Sequence, residues 1–125
     1  MPDKARVDQF IDAVVNGDHV EAIRNFYHET ATMQENLGEP RVGRDALMAH
    51  EANAMARVAK VETKPVTTYL VDGDSVAIRW TFIMTDKSGV SRQLEELSLQ
   101  HWDGDRIARE QFFYDSATAW HVVDA

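Results

Sequence analysis

Residues Ser75–Asp115 read SVAIRWTFIMTDKSGVSRQLEELSLQHWDGDRIAREQFFYD, and this run decides the fold. Val76, Ile78, Trp80, Phe82 and Met84 recur at every second position, the period of a strand with one buried face. Asp86-Lys87-Ser88-Gly89 breaks the run with turn residues. Residues 90 to 102 then alternate again. Asp103-Gly104-Asp105 is a sharp hairpin signal, and residues 106 to 115 form a last strand ending Phe112-Phe113-Tyr114-Asp115. A tail from Ser116 adds at most a partial turn.

Upstream of this run, Asp72-Gly73-Asp74 is another turn. Residues 61 to 71 have strand composition, with Val61, Thr63, Val66, Thr68, Tyr69, Leu70 and Val71, interrupted by Pro65. The first half changes period. Val7, Phe10, Ile11, Val14 and Val15 give a helix over 5–15 with Asp3 as its N-cap. Asn16-Gly17-Asp18 ends it, with Gly17 suited to a left-handed C-cap and Asp18 able to cap the next helix. That helix covers 19–27, and Val20, Ile23, Phe26 and Tyr27 face inward. A third helix runs over 44–58, opened by Gly43-Arg44-Asp45.

Between the second and third helices lies Ala31-Thr32-Met33-Gln34-Glu35-Asn36-Leu37-Gly38-Glu39-Pro40-Arg41-Val42-Gly43. It is short, extended to residue 36, and rich in acids and amides. Three helices followed by four long hairpin-linked strands define an α+β class. The expected architecture is a curved antiparallel sheet forming a cone, with three N-terminal helices over its concave face. A cavity between them is the expected small-molecule site.

Composition narrows the functions. The 125 residues give one domain over 1–125 and enough chain for a core. There is no cysteine, so disulfides, thiol nucleophiles and thiolate metal sites are excluded. Lysine plus arginine number 13 against 21 acids, a net charge of −8, which argues against nucleic acid as a partner. No apolar run spans a membrane, and the N-terminus does not read as a signal peptide, so a cytoplasmic location is expected. The five histidines, His19, His28, His50, His101 and His121, lack metal-ligand spacing; neither metal nor cofactor is expected.

The order of elements and several short motifs resemble the nuclear transport factor 2-like superfamily. The motifs are Asn16-Gly17-Asp18, Phe26-Tyr27, Ala31-Thr32-Met33-Gln34-Glu35, Gly43-Arg44-Asp45-Ala46, Asp103-Gly104-Asp105-Arg106-Ile107 and Phe113-Tyr114-Asp115. Within it the chain is similar to the SnoaL-like, polyketide cyclase-like branch, with ketosteroid isomerases and limonene-epoxide hydrolases as relatives. Set against the isomerases, Glu35 falls on the general base. Their oxyanion-hole tyrosine falls on Phe10, and their protonated aspartate on Ser98. Set against the hydrolases, Asn36 falls on a water-positioning asparagine and Asp115 on the water-activating aspartate. Gln34 stands at their tyrosine, while Trp80 and Phe82 replace their arginine and acid. Asp115 also resembles the acid/base aspartate of the polyketide cyclases.

What the resemblance implies is a small cofactor-independent enzyme: an isomerase, cyclase or hydrolase using general acid/base chemistry on a compact apolar molecule. Asp115 and Glu35 are the expected proton carriers. Gln34, Asn36, Trp80, Phe82, Glu96, Ser98, Phe112 and Tyr114 are the expected substrate contacts. A homodimer through the outer sheet face, with Leu97 and Leu99 exposed there, is also implied. The alternative is a non-catalytic ligand-binding or dimeric accessory protein of the same fold. Two questions stay open. Glu35 and Asn36 cannot both enter the cavity without a bulge. Glu96 and Glu110 either line the concave face or pair in solvent with Arg92, Arg106 or Arg109.

Overall fold

A computed structural model describes residues 1–124. β5 (Ser75–Asp86) and β6 (Ser91–Asp103) form the long spine of the sheet, paired antiparallel from Ser75 opposite His101 to Thr85 opposite Ser91. β7 (Arg106–Phe113) follows through the Asp103-Gly104-Asp105 turn and pairs antiparallel with β6. Gly104 has φ +62, the left-handed geometry that this tight turn requires.

On the other flank, β3 (Val58–Thr63) and β4 (Tyr69–Asp72) both pair with β5. Sequence composition ran these two into one strand. Pro65 lies in the non-strand segment between them, where no ladder bond asks for its missing N–H.

β1 (Tyr27–Glu35) departs from a purely antiparallel sheet. It lies parallel to β7, with Glu35 opposite Phe112, and carries the two-residue β2 (Arg41–Val42) on its outer edge. The sheet is therefore mixed, ordered β2-β1-β7-β6-β5-β3, with β8 (His121–Val123) added on β6. A parallel neighbour needs a long crossover. Here the intervening α3 (Arg44–Ala56) and the β3–β6 strands provide it. Register shifts at Tyr27/Thr32, Val58/Lys60 and His101/Trp102 interrupt the ladders. Such bulges bend strands and help curl a sheet.

The helices start where capping chemistry dictates. Asp3 accepts from the Arg6 N–H at 2.8 Å to open α1 (Lys4–Asn16). Asp18 accepts from Val20 and Glu21 at 2.7 and 3.1 Å to open α2 (His19–Phe26). Gly17 is not the left-handed cap its sequence suggested. It is extended, with φ −125, and a Cβ there would stand 2.6 Å from the Ala13 carbonyl oxygen. Close approach, not handedness, explains the glycine. α3 stops at Ala56, two residues before the apolar pattern runs out.

The three helices cover the concave face, and Phe10 sits at the centre of the packing. Its ring meets Phe26 at 5.4 Å and Tyr27, Trp80 and Trp102 each at 6.1 Å, all edge-on, the geometry that ring quadrupoles favour. Val7, Ile78, Trp102 and Ile107 complete a dry floor at this end of the cone. Alternation then does the rest. Even residues of β5 and β6 point into the cone, while Arg79, Glu95, Leu97 and Leu99 point out. No helix among the described residues is long and apolar enough to cross a membrane.

Candidate functional site

The far end of the cone is not filled. A cavity of about 390 Å³ opens between the helices and the concave sheet. Its walls are largely apolar: Phe10, Val14 and Ile23 from the helices, Trp80, Phe82 and Met84 from β5, Leu94 from β6 and Phe112 from β7. Trp80 and Phe82 stack at 5.7 Å with planes 21° apart and brace each other on the β5 side of the cavity. Polar groups enter this apolar space too, including four carboxyls, Glu35, Glu51, Glu96 and Glu110.

Glu110 is the most enclosed, 3% exposed. The Tyr27 hydroxyl donates to its Oε1, and the Gln100 amide donates to Oε2 at 2.6 Å. Gln100 is itself oriented by the Trp102 indole N–H, which donates to its Oε1 at 2.9 Å. Burial pushes the Glu110 carboxyl up to about 7, while the bonds from Tyr27, Gln100 and Ser98 pull it back. The Tyr27 phenol is driven well above its ordinary value by burial and by the charge of Glu110.

Glu96 lies two residues along the same face of β6 from Ser98 and has a different environment. Burial raises it to about 8, helped by the charges of Glu110, Glu35 and Glu51. Among the described residues no hydrogen bond or ion pair reaches its carboxyl. Every enclosed side-chain polar atom there has a partner, so the unpartnered Glu96 oxygens border the cavity. Burial and the neighbouring carboxyls thus favour the protonated form of Glu96 over the charged one.

Glu35 stands at the mouth, half-exposed, with Arg41 Nη2 3.2 Å from its Oε2. β2 holds Arg41 there by pairing it with Met33, whose side chain also lines the cavity. Tyr114 lies close by. Burial first, then the charges of Glu35 and Glu96, raise its phenol. Glu51 on α3 faces His19 Nδ1 at 3.4 Å, and His19 Nε2 is 3.0 Å from Thr63 Oγ1.

Glu35 is therefore the residue of the Glu35/Asn36 pair that enters. Asn36 leaves the strand at φ +49 and works as a clip. Its N–H donates to the Phe112 carbonyl at 2.7 Å, and its Oδ1 accepts from the Tyr114 N–H at 3.0 Å. Gln34 points to the other face and donates to the Gly38 carbonyl at 2.9 Å. Ser98 is fully buried beneath the wall, accepting from the Trp80 indole at 3.1 Å. Asp115, the expected proton carrier, lies outside the cavity. It is exposed and its carboxylate accepts from the Ala117 N–H at 2.9 Å, capping a turn. The chain has left the ladder at Phe113, so strand alternation no longer aims residue 115. Trp80, Phe82, Glu96 and Phe112 line the cavity as expected, and the concave placement of Glu96 and Glu110 excludes their pairing in solvent.

Several lining residues had no signal strong enough to find them. Arg41, Glu51 and Arg57 belong to no recognisable motif, and His50 lacks metal-ligand spacing. Trp120 sits in a tail with no periodicity. Tyr27 read as inward-facing while the face of Glu110 was open, and their bond joins residues 83 apart in sequence. Among the described residues no group of three or more histidine and acidic side chains is arranged to hold a metal ion.

An α+β cone of three helices and a curled mixed sheet defines the nuclear transport factor 2-like class. The model of the SnoaL-like domain matches residues 7–110, and the chain belongs to that family. No curated protein matches the sequence. Similar solved structures include a SnoaL-like protein from a Jannaschia species, at 14% identity and TM-score 0.77, covering 96% of this chain and 94% of that one. An epoxide hydrolase of the limonene-epoxide hydrolase-like type from M. tuberculosis is 16% identical, with TM-score 0.75 and coverage of 92% and 84%. A protein of ketosteroid isomerase-like fold from Catenulispora acidiphila, in complex with trimethylamine, is 19% identical, with TM-score 0.75 and coverage of 95% and 91%. At these identities the likeness is one of fold, and this fold carries many chemistries.

Proposed function

We propose that the chain is a cofactor-independent acid/base enzyme that moves a proton next to a carbonyl in a compact, largely apolar molecule. Family members of this fold include isomerases, cyclases and epoxide hydrolases, and the isomerase or cyclase type fits these residues best. The observation that carries the reading is that Glu96, which no hydrogen bond or ion pair reaches, shares a largely apolar cavity with the ion-paired Glu35. Two carboxyls in contrasting environments divide the roles of acid and base. Glu35 takes the proton from the carbon beside the carbonyl. Glu96 donates a hydrogen bond to the carbonyl oxygen as it gains negative charge. Glu35 then returns its proton to carbon, and Glu96 remains protonated throughout. Glu110, held by Tyr27 and Gln100, adds to the field that keeps Glu96 neutral. Trp80, Phe82 and Phe112 hold the apolar body.

The test is deuterium uptake from D₂O by a panel of cyclic ketones and unsaturated ketones, followed by NMR. Uptake above the buffer rate, lost about a hundredfold or more in Glu35→Gln, supports the reading. A wild type that exchanges none of them above buffer contradicts it.

The Arg41–Glu35 contact favours a second reading, because a carboxylate held by a guanidinium also serves a protein that only binds ligand. In that case Glu35→Gln alters affinity and no turnover exists. On the outer sheet face, Leu97, Leu99 and Phe113 are 46%, 47% and 39% exposed, with Leu97 opposite Phe113 across β6 and β7. This apolar patch supports a homodimer through that face.

A further inference from the structure

After β7 the chain leaves the sheet for residues 114–120 and returns as β8. Both ends of this strap are tied down. At one end Asn36 accepts from the Tyr114 N–H at 3.0 Å, and the Gln111 amide donates to the Asn36 carbonyl at 2.8 Å. At the other, His121, Val122 and Val123 pair with Gln93, Arg92 and Ser91 of β6. Between them the strap folds on itself. Asp115 accepts from the Ala117 N–H through its carboxylate and from the Thr118 N–H through its carbonyl, at 2.9 and 3.1 Å.

Trp120 is the last residue of the strap, and its φ is +56. A bulky side chain is disfavoured there, and such strained residues concentrate at ligand contacts. Its indole lines the cavity. His121 pairs with Gln93, so the next position along β6 is Leu94, and Leu94 pairs with Phe82. Trp120 thus sits one position beyond the β8 ladder, next to the stretch of β6 whose Leu94 also lines the cavity.

We propose that Trp120 is a specificity-determining residue that selects flat, ring-bearing ligands, which it holds against the aromatic wall of Trp80, Phe82 and Phe112. Three observations support this. The Trp80 and Phe82 rings are stacked and nearly parallel, so β5 puts two aromatic groups side by side on the cavity wall. Phe112 comes from β7 to the same space. The fixed ends of the strap hold Trp120 in a conformation that the free residue avoids, so the second aromatic surface is formed in advance. Asp115 takes part as the cap that folds the strap and is a positioning residue for Trp120. The proposal rests on the cavity being a small-molecule site, but not on its acid/base chemistry.

The experiment compares 2-naphthol with its saturated counterpart 2-decalol by titration calorimetry on the full chain. Wild type is expected to bind the flat probe at least tenfold more tightly. Trp120→Gly, a residue at ease with φ +56, is expected to lose that preference while melting no lower than wild type. Trp120→Phe keeps most of the preference. Should the glycine variant melt far lower, Trp120→Leu against Trp120→Phe decides: loss in the first and retention in the second supports the assignment. Equal binding of the two probes by wild type overturns it. So does binding of neither, or an unchanged preference in Trp120→Gly and Trp120→Leu. A preserved preference with no proton exchange on any ketone overturns the catalytic reading and leaves this one standing.

Discussion

Glu96 stands directly opposite Trp80 across β6 and β5, so a carboxyl projects into the cavity beside an indole wall. Its raised proton affinity follows from that placement, because burial without a hydrogen-bond partner penalises the charged form. The sign of the consequence is fixed. Between its usual value of 4.5 and about 8, native Glu96 keeps a proton that the unfolded chain has released. Stability is therefore highest at the acid end of that window and falls as pH rises, by about 1.4 kcal/mol per pH unit for each such proton. Glu110 adds to the fall up to about 7. Glu96→Gln is expected to flatten the decline and to melt above wild type at pH 8.5, measured by thermal unfolding from pH 5.5 to 8.5. An unchanged slope in the variant counts against the assignment.

The Tyr27–Glu110 bond is a different kind of commitment, because both groups are buried. Tyr27→Phe removes one donor to a carboxyl that is 3% exposed. The expected loss is about 1–3 kcal/mol. Denaturant unfolding near pH 6 measures it. Gln100→Leu is expected to cost a similar amount, because it strips the second donor and leaves the Trp102 indole N–H without its acceptor.

Phe10 is the packing hub where the helices meet the sheet. Phe10→Ala deletes four edge-on contacts and joins the resulting void to the cavity it already lines. A loss of about 3–5 kcal/mol is expected. Phe10→Tyr is the informative companion. A hydroxyl added beside the cavity is expected to shift probe affinity with little change in melting temperature, and a large destabilisation says that the new O–H is buried without a partner.

The outer sheet face gives a separate prediction. If two copies meet there, Leu97→Arg together with Leu99→Arg sets like charges against each other across the two-fold axis. Light scattering is expected to show a dimer for wild type and a monomer for the double variant, with unchanged circular dichroism. A monomeric wild type at micromolar concentration refutes the dimer.

The cone was legible because alternation in β5 and β6 is strict and the turn at Gly104 is sharp. That same alternation groups Trp80 with Phe82 and Glu110 with Phe112, and the structure turns these faces and Glu96 toward the cavity. It failed where the chain leaves the ladder. Asn36 turns left-handed one residue past β1, and Asp115 lies two residues past β7, so neither inherits a face from its strand. The parallel pairing of β1 with β7 brings Glu35 beside Phe112 across a separation of 77 positions, which no local pattern encodes. Trp120 was hidden for a related reason: its backbone conformation is imposed by tethers at Asn36 and β6, both distant in sequence. Gly17 was read for handedness when close contact with Ala13 was the reason for it.

The central claim is that Glu96 is a neutral acid inside the cavity at pH 7. Carbon-13 NMR of the glutamate carboxyls, with Glu96 assigned by the resonance lost in Glu96→Gln, measures it directly. The account predicts a midpoint near 8 for that resonance in the ligand-free protein. A midpoint near 4.5, the usual glutamate value, contradicts it.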